Sequence, residues 1–193
     1  MKIGTDGVLL GAWTPIDSNP MNILDIGSGT GLIALMLAQR SNAREIDAIE
    51  IEPNAYEQCV ENFEASTWAD RLFCYHASLE MFVDEVEETY DLIVSNPPFF
   101  SEEVTSGDGP RDMARRSSAL PFNELVESAC TLLSPNGTFA TVIPYKEETL
   151  FVDLAENAGL YLQKITRVKG TANADFKRSM LTFSFHKSEV VED

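Results

Sequence analysis

Cysteine is scarce in this chain, three among 193 residues, and Cys59, Cys74 and Cys130 lie far apart. An odd count without metal-ligand spacing argues against a disulfide framework and against a metal site. The thiols read as reduced and packed among apolar neighbours. Long apolar runs are also missing: nothing approaches the roughly 20 residues that span a bilayer. The opening Met1-Lys2-Ile3-Gly4-Thr5-Asp6-Gly7 lacks the apolar core of a secretory leader. A cytoplasmic protein without membrane contact is expected. Positive charge is the third shortage, with 14 Lys+Arg against 31 Asp+Glu and a net charge of −17. Nucleic-acid binders carry a basic footprint, so where the few cations lie matters more than their sum. Residues 1–110 hold 4 basic and 20 acidic side chains, whereas residues 111–193 hold 10 and 11. The later half alone is able to grip a polyanion, through Arg111, Arg115 and Arg116, then Lys164, Arg167 and Lys169, then Lys177 and Arg178. An ordinary solvated face is the competing reading.

Hydrophobic residues make up 44 % of the chain, the share of an ordinary globular protein. The length suits one domain over residues 1–193, and no repeat, linker or low-complexity tract divides it. Strands and helices alternate. Residues 21–26, 45–51, 71–76 and 90–95 are short apolar strands, each followed by a helical pattern or a motif loop. The first helix covers 32–40. The second opens on Pro53 and buries Tyr56, Cys59, Val60 and Phe63 at helical spacing. Leu79, Phe82 and Val83 mark a short third. A polar stretch over 101–120 has no periodicity, which inside a domain usually signals function. A helix from Pro121, a turn at 134–137, a strand over 138–143 and a helix over 147–158 follow. Strands over 160–168 and 179–186 then form a hairpin. This order calls for an α/β fold, a mostly parallel sheet with helices on both faces and an antiparallel C-terminal hairpin at its edge.

Asp25-Ile26-Gly27-Ser28-Gly29-Thr30-Gly31 lies between the first strand and its helix. Glycines there permit a tight turn and close backbone approach to a ligand, and the helix beyond offers free N–H groups. Glu50, at the end of the second strand, is placed to accept from ribose hydroxyls. Nicotinamide and flavin enzymes space their glycines differently, one residue and then two. Asp25 would repel a pyrophosphate yet suits the ammonium of a methionine moiety. The loop therefore resembles the first motif of class I methyltransferases, which implies S-adenosylmethionine as cofactor.

Ser95-Asn96-Pro97-Pro98-Phe99 follows the fourth strand, at the sheet edge where open α/β folds bind ligands. The prolines stiffen the backbone. The Asn96 side-chain oxygen and the Pro97 carbonyl are then able to accept both hydrogens of one planar NH₂ group and orient its nitrogen. Phe99, with Phe100, offers a ring face for a planar base. Amide-type and exocyclic amino nitrogens are the substrates that this chemistry fits.

With both motifs in place, the chain resembles the bacterial tRNA1(Val) adenine-N6 methyltransferase family. The likeness runs through residues 1–13 (MKIGTDGVLLGAW), the Gly-rich loop, Asn96-Pro97-Pro98-Phe99-Phe100, and Arg111 with Ala114-Arg115-Arg116. It implies a Rossmann-like class I fold with a seven-stranded sheet, and N6-methylation of the tRNA adenine beside the anticodon. It further implies Thr5 and Asp6 at the methionine end of the cofactor and Leu10 and Trp13 packed on the fold. Arg116 stands where the family tends to have His, and Ser78 where many relatives have an Asp near the cofactor's adenine. Relatives carry a stretch before the segment that opens this chain, so a shortened N-terminus is expected. Cofactor contact is thus expected from Thr5, Asp6, Asp25, Gly27, Gly29, Gly31, Glu50, Ser78 and Asn96. Catalysis is expected from Asn96, Pro97 and Phe99, and substrate contact from Phe99, Phe100, Arg111, Arg115 and Arg116. A monomer acting on tRNA is favoured. Guanine-N2 of ribosomal RNA, glutamine of release factors and a non-catalytic RNA-binding module remain the alternatives.

Overall fold

Apolar patterning sets the order of the elements, and the computed structural model, which describes residues 4–98 and 120–193, shows where each one goes. The chain opens with α1 (Thr5–Trp13), then β1 (Asn22–Ile26), α2 (Leu32–Arg40), β2 (Glu45–Glu50), α3 (Pro53–Glu64), β3 (Leu72–His76), α4 (Leu79–Glu85) and β4 (Tyr90–Ser95). The second half holds α5 (Phe122–Leu132), β5 (Leu133–Pro144), a 3-10 turn (Tyr145–Glu147), α6 (Glu148–Asn157), β6 (Tyr161–Val168), β7 (Arg178–Ser184) and β8 (Val191–Glu192). The strands make one sheet in the order β3-β2-β1-β4-β5-β7-β6-β8. The strands from β3 to β5 run parallel, and β7 runs antiparallel to both neighbours. The order reverses between β1 and β4, where open α/β sheets leave a crevice for ligands.

Successive strand residues point to opposite faces, and each face has its own core. Ile23, Ile46 and Val142 pack under Leu10 of α1, Ile33 and Leu37 of α2, and Cys59 and Phe63 of α3. Leu24, Ile93 and Phe139 pack under Phe82 of α4, Leu125 of α5 and Phe151 of α6. Among the described residues no helix is long and apolar enough to cross a membrane.

Three details differ from the sequence reading. The hairpin does not simply add an edge strand: β7 inserts between β5 and β6, and the tail adds β8 beside β6, making eight strands where seven were expected. Burial explains it, because Ser179 through Phe183 is buried without a break whereas β6 has one buried residue. A strand covered on both faces is stable only when paired on both edges. The turn at 134–137 lies inside β5 as a register shift, between the pairs Tyr90–Leu133 and Leu92–Thr138. Residues 5–13, for which the periodicity predicts no element, form a helix. Gly7 and Gly11 lower its intrinsic propensity, so its contacts decide. Leu10 is fully buried, Trp13 Nε1 donates to Thr166 Oγ1 at 2.9 Å, and the Arg40 guanidinium donates to the Gly11 and Thr14 carbonyls.

Candidate active site

Strand register brings the two motif loops together. Ile26 at the end of β1 stands opposite Ile49 of β2 and Ser95 of β4. The residues that follow this row are Gly27, Glu50 and Asn96, so the Gly-rich loop and the Asn96 loop leave the sheet from one level, beside the strand acid. Glu50 in turn faces His76, so Ala77-Ser78 leaves the sheet at the same level. Ser95 Oγ donates to the Ile26 carbonyl at 3.0 Å and ties the β4 end to the β1 end.

The Gly-rich loop is held by its own backbone. Gly27, Gly29 and Gly31 have φ of 69°, 58° and 78°, the left-handed region that L side chains resist. The Gly27 and Ser28 amides both donate to the Ile49 carbonyl at 3.0 Å. Glu50 accepts from the Gly29 amide at 2.7 Å through Oε2 and from the Glu52 amide at 2.8 Å through Oε1. Each carboxylate oxygen keeps a further lone pair for a ligand hydroxyl. The glycines differ in what they border. A Cβ on Gly31 would stand 2.7 Å from Cys59 Sγ, so this glycine lets α3 approach, whereas a Cβ on Gly27 meets nothing within 4 Å. The open side of the loop is at Gly27.

Asp25 lies beneath that loop, fully buried. Its Oδ2 accepts from the Ala34 amide at 3.1 Å, and its Oδ1 has no partner among the described residues. Burial pushes the carboxyl up to about 7, the Ala34 amide pulls it down, and the Glu50 charge pushes it up again. An unsatisfied buried acceptor costs about 1–3 kcal/mol, which suits the place to a cationic donor.

Asn96 is half-buried, Pro97 buried and Pro98 exposed. Helix α1 lies against this loop: a Cβ on Gly7 would be 3.7 Å from Asn96 Nδ2. Thr5 is exposed at the start of α1, and Asp6 Oδ2 accepts from Arg178 Nε at 2.8 Å. Ser78 caps α4, its Oγ accepting from the Met81 amide at 3.2 Å, and a hydroxyl that accepts in this way is still able to donate. Phe99, Phe100, Arg111, Arg115 and Arg116 lie outside the described residues. Ile51, directly after Glu50, is an apolar side chain 55 % exposed beside the strand acid. His76 is engaged elsewhere, its Nε2 3.1 Å from the Ile51 carbonyl and its ring stacked on Tyr56. Among the described residues no group of three His, Cys, Asp or Glu is placed to hold a metal.

The methyltransferase small domain matches residues 8–159, from within α1 to the end of α6 and just beyond. The chain belongs to the methyltransferase small domain family. A curated relative, the tRNA1(Val) (adenine(37)-N6)-methyltransferase of Flavobacterium psychrophilum, is 61 % identical over 100 % of this chain and 82 % of its own. The Bacteroides fragilis protein of the same name is 43 % identical, covering 100 % and 81 %. Among solved structures, a predicted O-methyltransferase from Agrobacterium tumefaciens aligns with a TM-score of 0.72 at 17 % identity, over 98 % of this chain and 84 % of that one. A methyltransferase from Pyrococcus furiosus gives 0.62 at 23 %, over 84 % and 74 %. At such identities the likeness speaks for the fold alone, and it is the expected class I Rossmann-like fold.

Proposed function

We propose that this methyltransferase carries the methyl group of S-adenosylmethionine to N6 of adenine 37 in tRNA1(Val), the reaction for which its relatives are named. The observation that carries the chemistry is the pairing of Ile26 with Ser95, which starts the Gly27 and Asn96 loops from one level of the sheet, near an Asp25 oxygen that has no partner among the described residues. The residues fit the cofactor, whose sulfonium supplies an electrophilic methyl when bound. Asp25 meets the methionyl ammonium, with Thr5 and Asp6 bordering that end. Gly27 and Gly29 let the backbone come close, Gly31 seats the loop, and Glu50 accepts from the ribose hydroxyls. Ile51 gives the adenine ring an apolar wall, and Ser78 meets its edge.

Asn96 also lines the methionine end, and with the Pro97 carbonyl it accepts both hydrogens of the substrate amine. That pairing fixes the plane of the nitrogen and stabilises the positive charge that develops on it. The proton leaves after transfer, so no strong base is required. Phe99 and Phe100 stack the target base, and Arg111, Arg115 and Arg116 meet phosphates. A tRNA substrate puts this activity in the cytoplasm.

The test is radiolabelled methyl transfer to total tRNA, ribosomal RNA and release factor in separate reactions, followed by nucleoside analysis. N6-methyladenosine is expected in tRNA alone, with Asn96→Ala reducing kcat by about 10²–10³ and weakening cofactor binding by much less. N2-methylguanosine in ribosomal RNA, or label in the release factor, would overturn the substrate and leave the methyl-transfer chemistry standing.

A further inference from the structure

The backbone ladder continues past the ends of β5 and β6. The Tyr145 amide donates to the Lys177 carbonyl at 3.1 Å, and the Lys177 amide donates to the Val168 carbonyl at 2.8 Å. These bonds hold the 3-10 turn beside the loop that joins β6 to β7. Tyr145 and Phe176 meet there with ring centroids 5.4 Å apart and planes tilted by 51°. Both stay in solvent, 40 % and 41 % exposed. Lys169 Nζ sits 5.5 Å from the Phe176 ring centroid, and Lys146 and Lys177 are exposed alongside.

This patch is on the edge that holds the candidate active site. Ser95, the residue before Asn96, pairs with Thr141, and β5 ends at Pro144, next to Tyr145. One strand spacing and three residues of extended chain put Tyr145 roughly 10 Å from the Asn96 loop. Other cations of the later half are engaged within the fold: Arg167 with Glu148 at 2.8 Å, Arg178 with Asp6 at 2.8 Å, and Lys164 with Asp193 at 2.6 Å.

Exposed rings rimmed by ammonium groups fit unpaired nucleotides, whose bases stack on the rings while their phosphates meet the cations. We infer that Tyr145 and Phe176, with Lys146, Lys169 and Lys177, dock the unpaired nucleotides that flank the target base. This rests on the reading that the substrate is an RNA. Glu147 and Asp175 share the two segments, so the patch is only weakly positive, and stacking carries more of the contact than charge. Paired RNA hides its base faces and gains little there.

The test is fluorescence anisotropy with a labelled RNA hairpin that has an unpaired loop, beside a fully paired duplex of equal length. The wild-type protein is expected to prefer the hairpin. The variant with Tyr145→Ala and Phe176→Ala binds it at least tenfold more weakly, with duplex binding, cofactor affinity and melting temperature unchanged. Phe176→Trp retains binding. A variant with Lys169→Glu and Lys177→Glu lowers the dependence of log affinity on log salt by roughly 1.4, at about 0.7 per phosphate contact on a single strand. In the methylation assay the ring variant raises KM for tRNA and leaves kcat at saturation within twofold. A hairpin affinity within twofold of wild type in the ring variant, as a surface for an acidic protein would give, overturns the inference. So does a wild-type protein that does not distinguish hairpin from duplex. If the hairpin binds through the rings and tRNA is never methylated, the docking surface stands and the proposed substrate falls.

Discussion

Asp25 is where a single residue most directly links burial to function. Its carboxyl is raised from the ordinary 3.8 to about 7 by burial, the Ala34 amide opposing and Glu50 adding. A folded pKa above the unfolded one means that the native state holds the proton more tightly. The stabilising contribution is therefore complete below about pH 4 and is lost as pH rises to about 7. Asp47, raised to about 6 by burial although Tyr90 donates to it, adds a similar trend elsewhere in the fold. Comparing Asp25→Asn with wild type isolates the Asp25 share: the melting midpoint of the ligand-free variant should exceed wild type at pH 8 and converge with it near pH 4. Cofactor binding responds in the opposite sense, because a cation is held by the ionised form. Wild-type affinity measured by calorimetry should rise about tenfold from pH 6 to pH 8, and the variant should lose both the affinity and its pH dependence. The identity of Asp25 was readable from its place two residues before Gly27. Its orphaned oxygen was not, because which amides reach a carboxylate depends on how α2 leaves the loop.

At the scale of elements, α1 and the strand register decide the site. Sequence periodicity placed strands over 21–26, 45–51 and 90–95, within one residue of where β1, β2 and β4 begin and end. It did not show that Ile26, Ile49 and Ser95 stand in one row, which is what starts the Gly27 and Asn96 loops from one level, beside Glu50. Helix α1 has no periodic apolar signal, because two of its three buried residues are glycines and the third is Leu10. It exists through contacts distant in sequence: the Trp13 bond to Thr166, the Asp6 pair with Arg178, and Met36 packed against Gly11. Leu10→Ala should accordingly cost about 3 kcal/mol in denaturant unfolding. It should also weaken cofactor binding, since α1 lies against Asn96. A loss in stability with unchanged cofactor affinity would show that α1 only covers the core.

Over the whole molecule the charge of −17 sets two salt responses of opposite sign. Self-repulsion opposes the compact state, and raising ionic strength from about 10 to 150 mM shortens the screening length from about 30 to 8 Å. The melting temperature should rise over that range. RNA affinity should fall over it, because phosphate contacts release counterions; a protein whose RNA affinity ignores salt would not be binding through phosphates at all. The sequence by itself determined the alternation of strands and helices, the glycine loop with Asp25, and the Asn-Pro-Pro stop after the fourth strand. These are legible because side-chain period and backbone permissiveness are local properties. Only the tertiary structure decided that β7 lies inside the sheet, that α1 covers the Asn96 loop, and that Arg167 and Arg178 are engaged in ion pairs while Tyr145 and Phe176 meet in solvent. Periodicity says which face of an element is apolar. It does not say which neighbour will cover that face, and that choice rests on packing between residues far apart in the chain.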